Sequence, residues 1–168
     1  GRYNGIQSAL AGRVANFAKA VGPARESAAA AMATLRQMPP SPDLLRLHLT
    51  LAKAGTAPGY AAFQRAVGTL ALPAAAAAAP ARQLIAALRD LPEEDIAALV
   101  TRPAEDAAAG MRRAVVDGMV ADAGKAPSDP NGLVEIDRTR KRLAADFADV
   151  LAQDERTRVD QALAGRRD

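Results

Sequence analysis

Large apolar side chains recur along this chain every three or four residues and almost nowhere every second residue. Tyr3, Ile6, Leu10, Val14, Phe17 and Val21 follow one another at steps of 3, 4, 4, 3 and 4, the rhythm that lays six side chains along one stripe of an α-helix. Gly22-Pro23 predicts the end of that helix. A second is expected from Ala24 to about Gln37, with an alanine face, Met32 and Leu35 as its larger contacts, and Pro39-Pro40 as its stop. Ser41-Pro42-Asp43 reads as a capping hydroxyl, a proline at the first helical position and an acid in the first turn, so a helix from Pro42 to Ala54 is expected, ending at Gly55. Behind Thr56, another begins near Ala57-Pro58, carries Tyr60, Phe63, Val67 and Leu70, and is broken by Pro73.

Residues 73–80 are alanine enclosed by prolines, too short for an independent helix, and read as a linker between a net basic N-terminal helical unit (1–72) and a C-terminal helical unit (81–168). In the second unit Leu84, Ile85, Leu88 and Leu91 predict a short amphipathic helix, and Pro92-Glu93-Glu94-Asp95 opens one containing Ile96, Leu99 and Val100, with three acids where a helix dipole favours them. Thr101 is placed to cap a longer helix from about Pro103 to Gly124, with Met111, Val115 and Met119 inward. A loop from Lys125 to Gly132 follows, with turn chemistry at Ser128-Asp129-Pro130-Asn131-Gly132 and a brief extended stretch over Leu133–Ile136. Asp137 then caps a helix bearing Leu143, Phe147, Val150 and Leu151, and Asp154 starts a last one that buries Val159 and Leu163. No useful strand alternation occurs. The expectation is an all-α protein: a multi-helix bundle or elongated array of eight or nine helices.

Composition narrows what those helices can do. Of 168 residues 49% are hydrophobic, yet many of these are alanine, aromatics are 3% and tryptophan is absent. Alanine favours helix but removes little apolar surface from water, so such helices must pack closely or lean on a partner. The net charge of +3 is too small to announce a nucleic-acid or membrane binder. It is unevenly spread: residues 1–80 hold eight basic and two acidic side chains, residues 81–168 fourteen and seventeen. With no cysteine, disulfides, thiolate metal sites and a cysteine nucleophile are excluded. No uncharged run of 18 apolar residues offers a membrane span, and no secretory signal is visible at the N-terminus. An initial glycine in place of methionine is expected of a processed product or a piece of a longer chain.

Candidate chemistry is sparse. Placing Gly132 at the sixth position of a calcium loop puts Pro127 first and Arg138 twelfth, where carboxylates are needed, so Asp129, Asn131 and Glu135 read as a turn and cap. His48 is the only histidine and sits beside Leu44, Leu45 and Leu51, as a partly buried packing residue would. None of the four serines (Ser8, Ser27, Ser41, Ser128) lies in a nucleophile elbow. Glu26, Glu94, Glu105 and Glu155 fall near helix starts or on polar faces and form no evident acid–base pair. No catalytic, metal or cofactor-binding residue is therefore assigned. Basic clusters remain: Arg112-Arg113, Arg138 with Arg140-Lys141-Arg142, and Arg166-Arg167. Arg138 and Arg142, four apart, share a face and are candidates to grip phosphates, although Asp137, Asp146 and Asp149 dilute the field. The simpler reading is a mixed-charge solvated face.

From Met111 to Leu163 the order of features is an arginine-bearing helix, Asp-Gly or Pro-Asn-Gly in a short loop, the apolar–acid–apolar step Val134-Glu135-Ile136, and two closing helices with Asp154-Glu155 before the last. This organisation resembles C-terminal segments of internal virion or tape-measure-like proteins of tailed bacteriophages. The resemblance implies a structural or DNA-ejection role, in the virion or the cytoplasm, and carries over no active-site residue. The expected function is thus a non-enzymatic helical structural or protein-interaction segment that meets a protein partner or copies of itself. The alternative is a nucleic-acid-binding module using Arg112, Arg113, Arg138, Arg140, Lys141 and Arg142.

Overall fold

The computed structural model describes residues 2–54, 56, 58–61, 65, 75–125 and 130–165, with side chains described from Lys19 onward except at 75–76, 125, 130–133, 135 and 144. Among them there is no strand, and seven α-helices occur: α1 (Arg2–Gln37), α2 (Pro42–Leu51), α3 (Ala75–Leu88), α4 (Glu93–Ile96), α5 (Arg102–Lys125), α6 (Pro130–Ala145) and α7 (Gln153–Ala164). A π-helical segment, Ala97–Thr101, joins α4 to α5 without a break. The all-α expectation holds, but eight or nine helices is too many, and each merger has a physical cause.

The first concerns α1, which runs through Pro23 instead of ending there. An interior proline forfeits one hydrogen bond and crowds the preceding turn, at about 3 kcal/mol. Packing offsets that cost: Ala24, Ala28, Ala31 and Leu35 recur at helical steps on α1, and all are buried. They face α3, the helix with which α1 makes its most extensive contact. There Ala77, Ala81, Leu84 and Leu88 form the matching buried stripe, and Gln83 Nε2 donates to the Ser27 carbonyl at 3.0 Å. From Ala75 on, the stretch expected as a linker is therefore helix, with Pro80 inside it. Alanine supplies the propensity, and burial of Ala77 and Ala81 against α1 supplies the rest.

Ser41 caps α2 as expected, its Oγ accepting from the Leu44 amide at 3.1 Å with Pro42 at the first helical position. Leu44, Leu45, Leu47, His48 and Leu51 are buried. The helix ends at Leu51, slightly short of Ala54, and turns follow. Thr56 opens the next helical turn, its Oγ1 accepting from the Gly59 amide at 3.0 Å and its carbonyl from Tyr60 at 2.8 Å. A Cβ at Gly59 would collide with the Lys53 backbone carbonyl, so glycine is required by that close approach. Phe63, Val67 and Leu70 lie outside the described residues.

Thr101 does not cap a new helix. Pro103 has no N–H to return to Leu99, and the chain absorbs this with a wider turn in which the Arg102 amide bonds the Ala97 carbonyl, five residues back. That turn also keeps Ile96, Val100, Ala104 and Ala108 inward, although successive four-residue steps would drift round an α-helix. Further on, α6 starts at Pro130 rather than at Asp137, so Leu133–Ile136 is helical and not extended. Pro130 is pre-set for a first helical position, and Ile136, Thr139 and Leu143 fall on one buried face. The helix ends at Ala145; Phe147, Val150 and Leu151, expected on it, occupy a tight turn closed by Val150 and Leu151 amides donating to the Phe147 carbonyl at 3.2 and 3.1 Å. All three are buried and join one core cluster that extends from Ala24 to Leu163.

Candidate functional site

Arg46 ties the 146–151 turn to α2. Its Nε donates to Asp149 Oδ2 at 2.8 Å and its Nη2 to Asp149 Oδ1 at 3.0 Å, while Nη1 reaches Asp43 at 2.9 Å and Nη2 also reaches the Asp146 carbonyl at 3.0 Å. The guanidinium hydrogen bonds hold the Asp149 carboxyl below the usual carboxylate range. Four of its five N–H donors are committed to this brace, so Arg46 has a structural task.

His48 is fully buried, more so than expected. Its Nε2 lies 3.4 Å from the Leu35 carbonyl, to which it donates as the neutral ring, and Nδ1 has no partner. Burial lowers its pKa, and the nearby Arg36 charge acts in the same direction. No acid is hydrogen-bonded to it. Among the described residues, no group of three His, Asp or Glu side chains comes together in a way that could hold a metal ion.

The basic residues singled out in the sequence do not share one face. Arg138, Lys141 and Arg142 lie on the exposed side of α6, and Arg142 sits over the Phe147 ring at 5.7 Å from its centroid. Arg140 is turned inward, one helical turn before the buried Leu143. It lines a cleft of about 620 Å³ at the α6–α7 junction, together with Gln153, Arg156, Thr157 and Asp160. Arg112 and Arg113 lie instead on α5 and line a second cleft, of about 430 Å³, with Asp154, Glu155 and Arg158.

The two clefts differ in how their cations are satisfied. In the second, Arg112 is ion-paired with Glu155 at 3.3 Å, although its buried Nε makes no hydrogen bond, and Arg158 is paired with Asp117 at 2.8 Å. In the first, among the described residues, neither Arg140 nor Arg156 has a carboxylate within ion-pairing distance, and the buried Arg156 Nε has no hydrogen-bond partner. The first turn of α7 lies beside it. Its N-cap is Ala152, whose side chain has no acceptor; only Glu155 Oε1 reaches back, to the Ala152 amide at 2.9 Å. The α6–α7 cleft is thus a recess with partly apolar walls that holds two half-buried guanidiniums and one carboxylate, Asp160.

Arg156 was not singled out in the sequence. A usable signal existed: Arg140 precedes Leu143, and Arg156 precedes Val159, by three residues, which turns each towards the buried side of its helix. No protein family, curated protein or solved structure compared with the chain matches it.

Proposed function

We propose that the chain is a non-enzymatic helical structural segment whose task is contact with protein, in the first place with copies of itself. The observation that carries this reading is the length of α1. At 36 residues it extends about 54 Å, whereas the helix packed along it, α3, has 14 residues and extends about 21 Å. From Lys19 on, where the side chains of α1 are described, the buried ones lie between Ala24 and Leu35. The apolar stripe that the sequence lays along the preceding turns, Tyr3 to Val21, has the spacing of a helix–helix seam. Among the residues whose side chains are described, Val134 is the only large apolar side chain left exposed. The seam is therefore the contact surface of choice. A structural segment of this kind agrees with the resemblance to internal virion proteins of tailed bacteriophages.

Sedimentation equilibrium tests it. The full chain is expected to self-associate below about 1 mM, and Leu10→Glu with Val14→Glu is expected to abolish association while leaving the helical circular dichroism of the remainder. A chain that stays monomeric, or an association indifferent to those two changes, would overturn the reading.

A second reading, nucleic-acid binding, keeps only the outer face of α6, where Arg138, Lys141 and Arg142 are exposed together. It requires affinity for DNA or RNA that falls steeply as salt rises. Salt-independent binding, or none at low salt, removes it.

A further inference from the structure

We infer that the α6–α7 cleft is a binding site for a small phosphorylated ligand, held through its phosphate group by Arg140 and Arg156. This goes beyond the protein-contact reading and does not depend on it.

Half-burying a guanidinium costs free energy unless an anion compensates it. The two other half-buried arginines among the described residues are compensated by the chain itself: Arg46 has Asp43 and Asp149, and Arg112 has Glu155. Arg140 and Arg156 break the pattern, and they break it in the same recess. The Arg156 Nε is buried without an acceptor, as is that of Arg112, so it is the outer edge of the Arg156 guanidinium that is left for an incoming oxygen. Gln153 and Thr157 add neutral donors on the same side of α7, at its first and second turns.

The ligand class follows from charge and shape. Two cations against Asp160 leave a surplus of one positive charge, which favours an anion, and planar guanidinium forks match phosphate oxygens. The cleft volume of about 620 Å³ lies in the range of small-molecule sites, roughly 300–1,000 Å³, and far exceeds what a bare phosphate fills. Leu143 and Ala148 supply an apolar wall for the organic part. A phosphate monoester attached to a ring or short carbon skeleton satisfies all three features.

Amide chemical-shift titration of the full chain with adenosine 5′-monophosphate, inorganic phosphate and adenosine tests the proposal at the Gln153 and Thr157 signals. The monophosphate is expected to saturate with Kd below about 1 mM, inorganic phosphate to bind at the same signals at least about tenfold more weakly, and adenosine not to bind. Arg140→Gln and Arg156→Gln are each expected to weaken the monophosphate about tenfold or more, the usual loss for a charge-assisted hydrogen bond. Arg113→Gln, in the other cleft, should change nothing. Absence of saturable shifts, equal binding of adenosine and its monophosphate, or unchanged affinity in folded Arg140→Gln and Arg156→Gln proteins would overturn the site.

Discussion

Where α1 meets α3 most of the buried positions are alanine: Ala24, Ala28 and Ala31 on one helix, Ala77, Ala81 and Ala87 on the other. Around the 146–151 turn they are Phe147, Val150 and Leu151, with Val159 and Leu163 of α7 close by in the chain. Small side chains let two backbones approach, so the first region gains contact from proximity; the second gains it from large groups that fill space. The same core is thus vulnerable in opposite ways. The alanine seam is sensitive to added volume, the aromatic corner to volume removed.

The largest expected effect tests the corner. Among the described residues Phe147 is the largest fully buried side chain, and Phe147→Ala is expected to lower the unfolding free energy by about 3–5 kcal/mol in urea denaturation. It also removes the ring beneath Arg142. Next comes the seam: Ala28, with no exposed surface, replaced by leucine should cost about 1–3 kcal/mol through overpacking, although the substitution adds apolar area. If Ala28→Leu stabilises the protein in the same assay, the seam is loose and the contrast between the regions fails.

Smaller effects sharpen how the corner is held. Arg46→Met keeps the aliphatic stem and removes the fork to Asp149, whose side chain is 59% exposed; after solvent screening a loss of about 1 kcal/mol is expected. The least effect is one of pH. Because burial lowers the His48 pKa from 6.5, the unfolded chain takes up a proton that the folded one resists, and stability should decline as pH falls below 6.5. Asp149 is held below its ordinary value of 3.8, so its stabilising contribution is lost only at far lower pH. His48→Gln, which can still donate to the Leu35 carbonyl, should flatten the slope between pH 6.5 and 5 in thermal melts. A slope that survives the change assigns it to other groups.

What could be read from the sequence tracks this contrast. The leucine-rich α2, with its Ser41 cap and Pro42 start, is visible because large apolar residues mark a face and polar ones mark an end. The alanine seam is not. Alanine has no amphipathic signature strong enough to show that Ala24–Leu35 and Ala77–Leu88 belong together, so Pro23 and Pro80 read as breaks although packing carries both helices through them. The π-helical join and the Pro130 start escaped for a related reason: each depends on where neighbouring backbone settles rather than on the residue type alone. For the candidate site, the sequence indicates Arg140 by its basic cluster but not Arg156, which stands between Glu155 and Thr157 with no run of charge to mark it.

The wide turn at Ala97–Thr101 has a consequence for how this chain tolerates length changes. It behaves as one surplus residue stored inside a rod, and while deleting one residue there would leave the downstream setting as it is, forcing regular winding at unchanged length would turn everything downstream by about 100°. Ala104, Ala108, Met111 and Met119 would then leave the buried side together, and the arginines of α5 would be re-aimed with them. The angular setting of the whole C-terminal half therefore depends on a miscount of one.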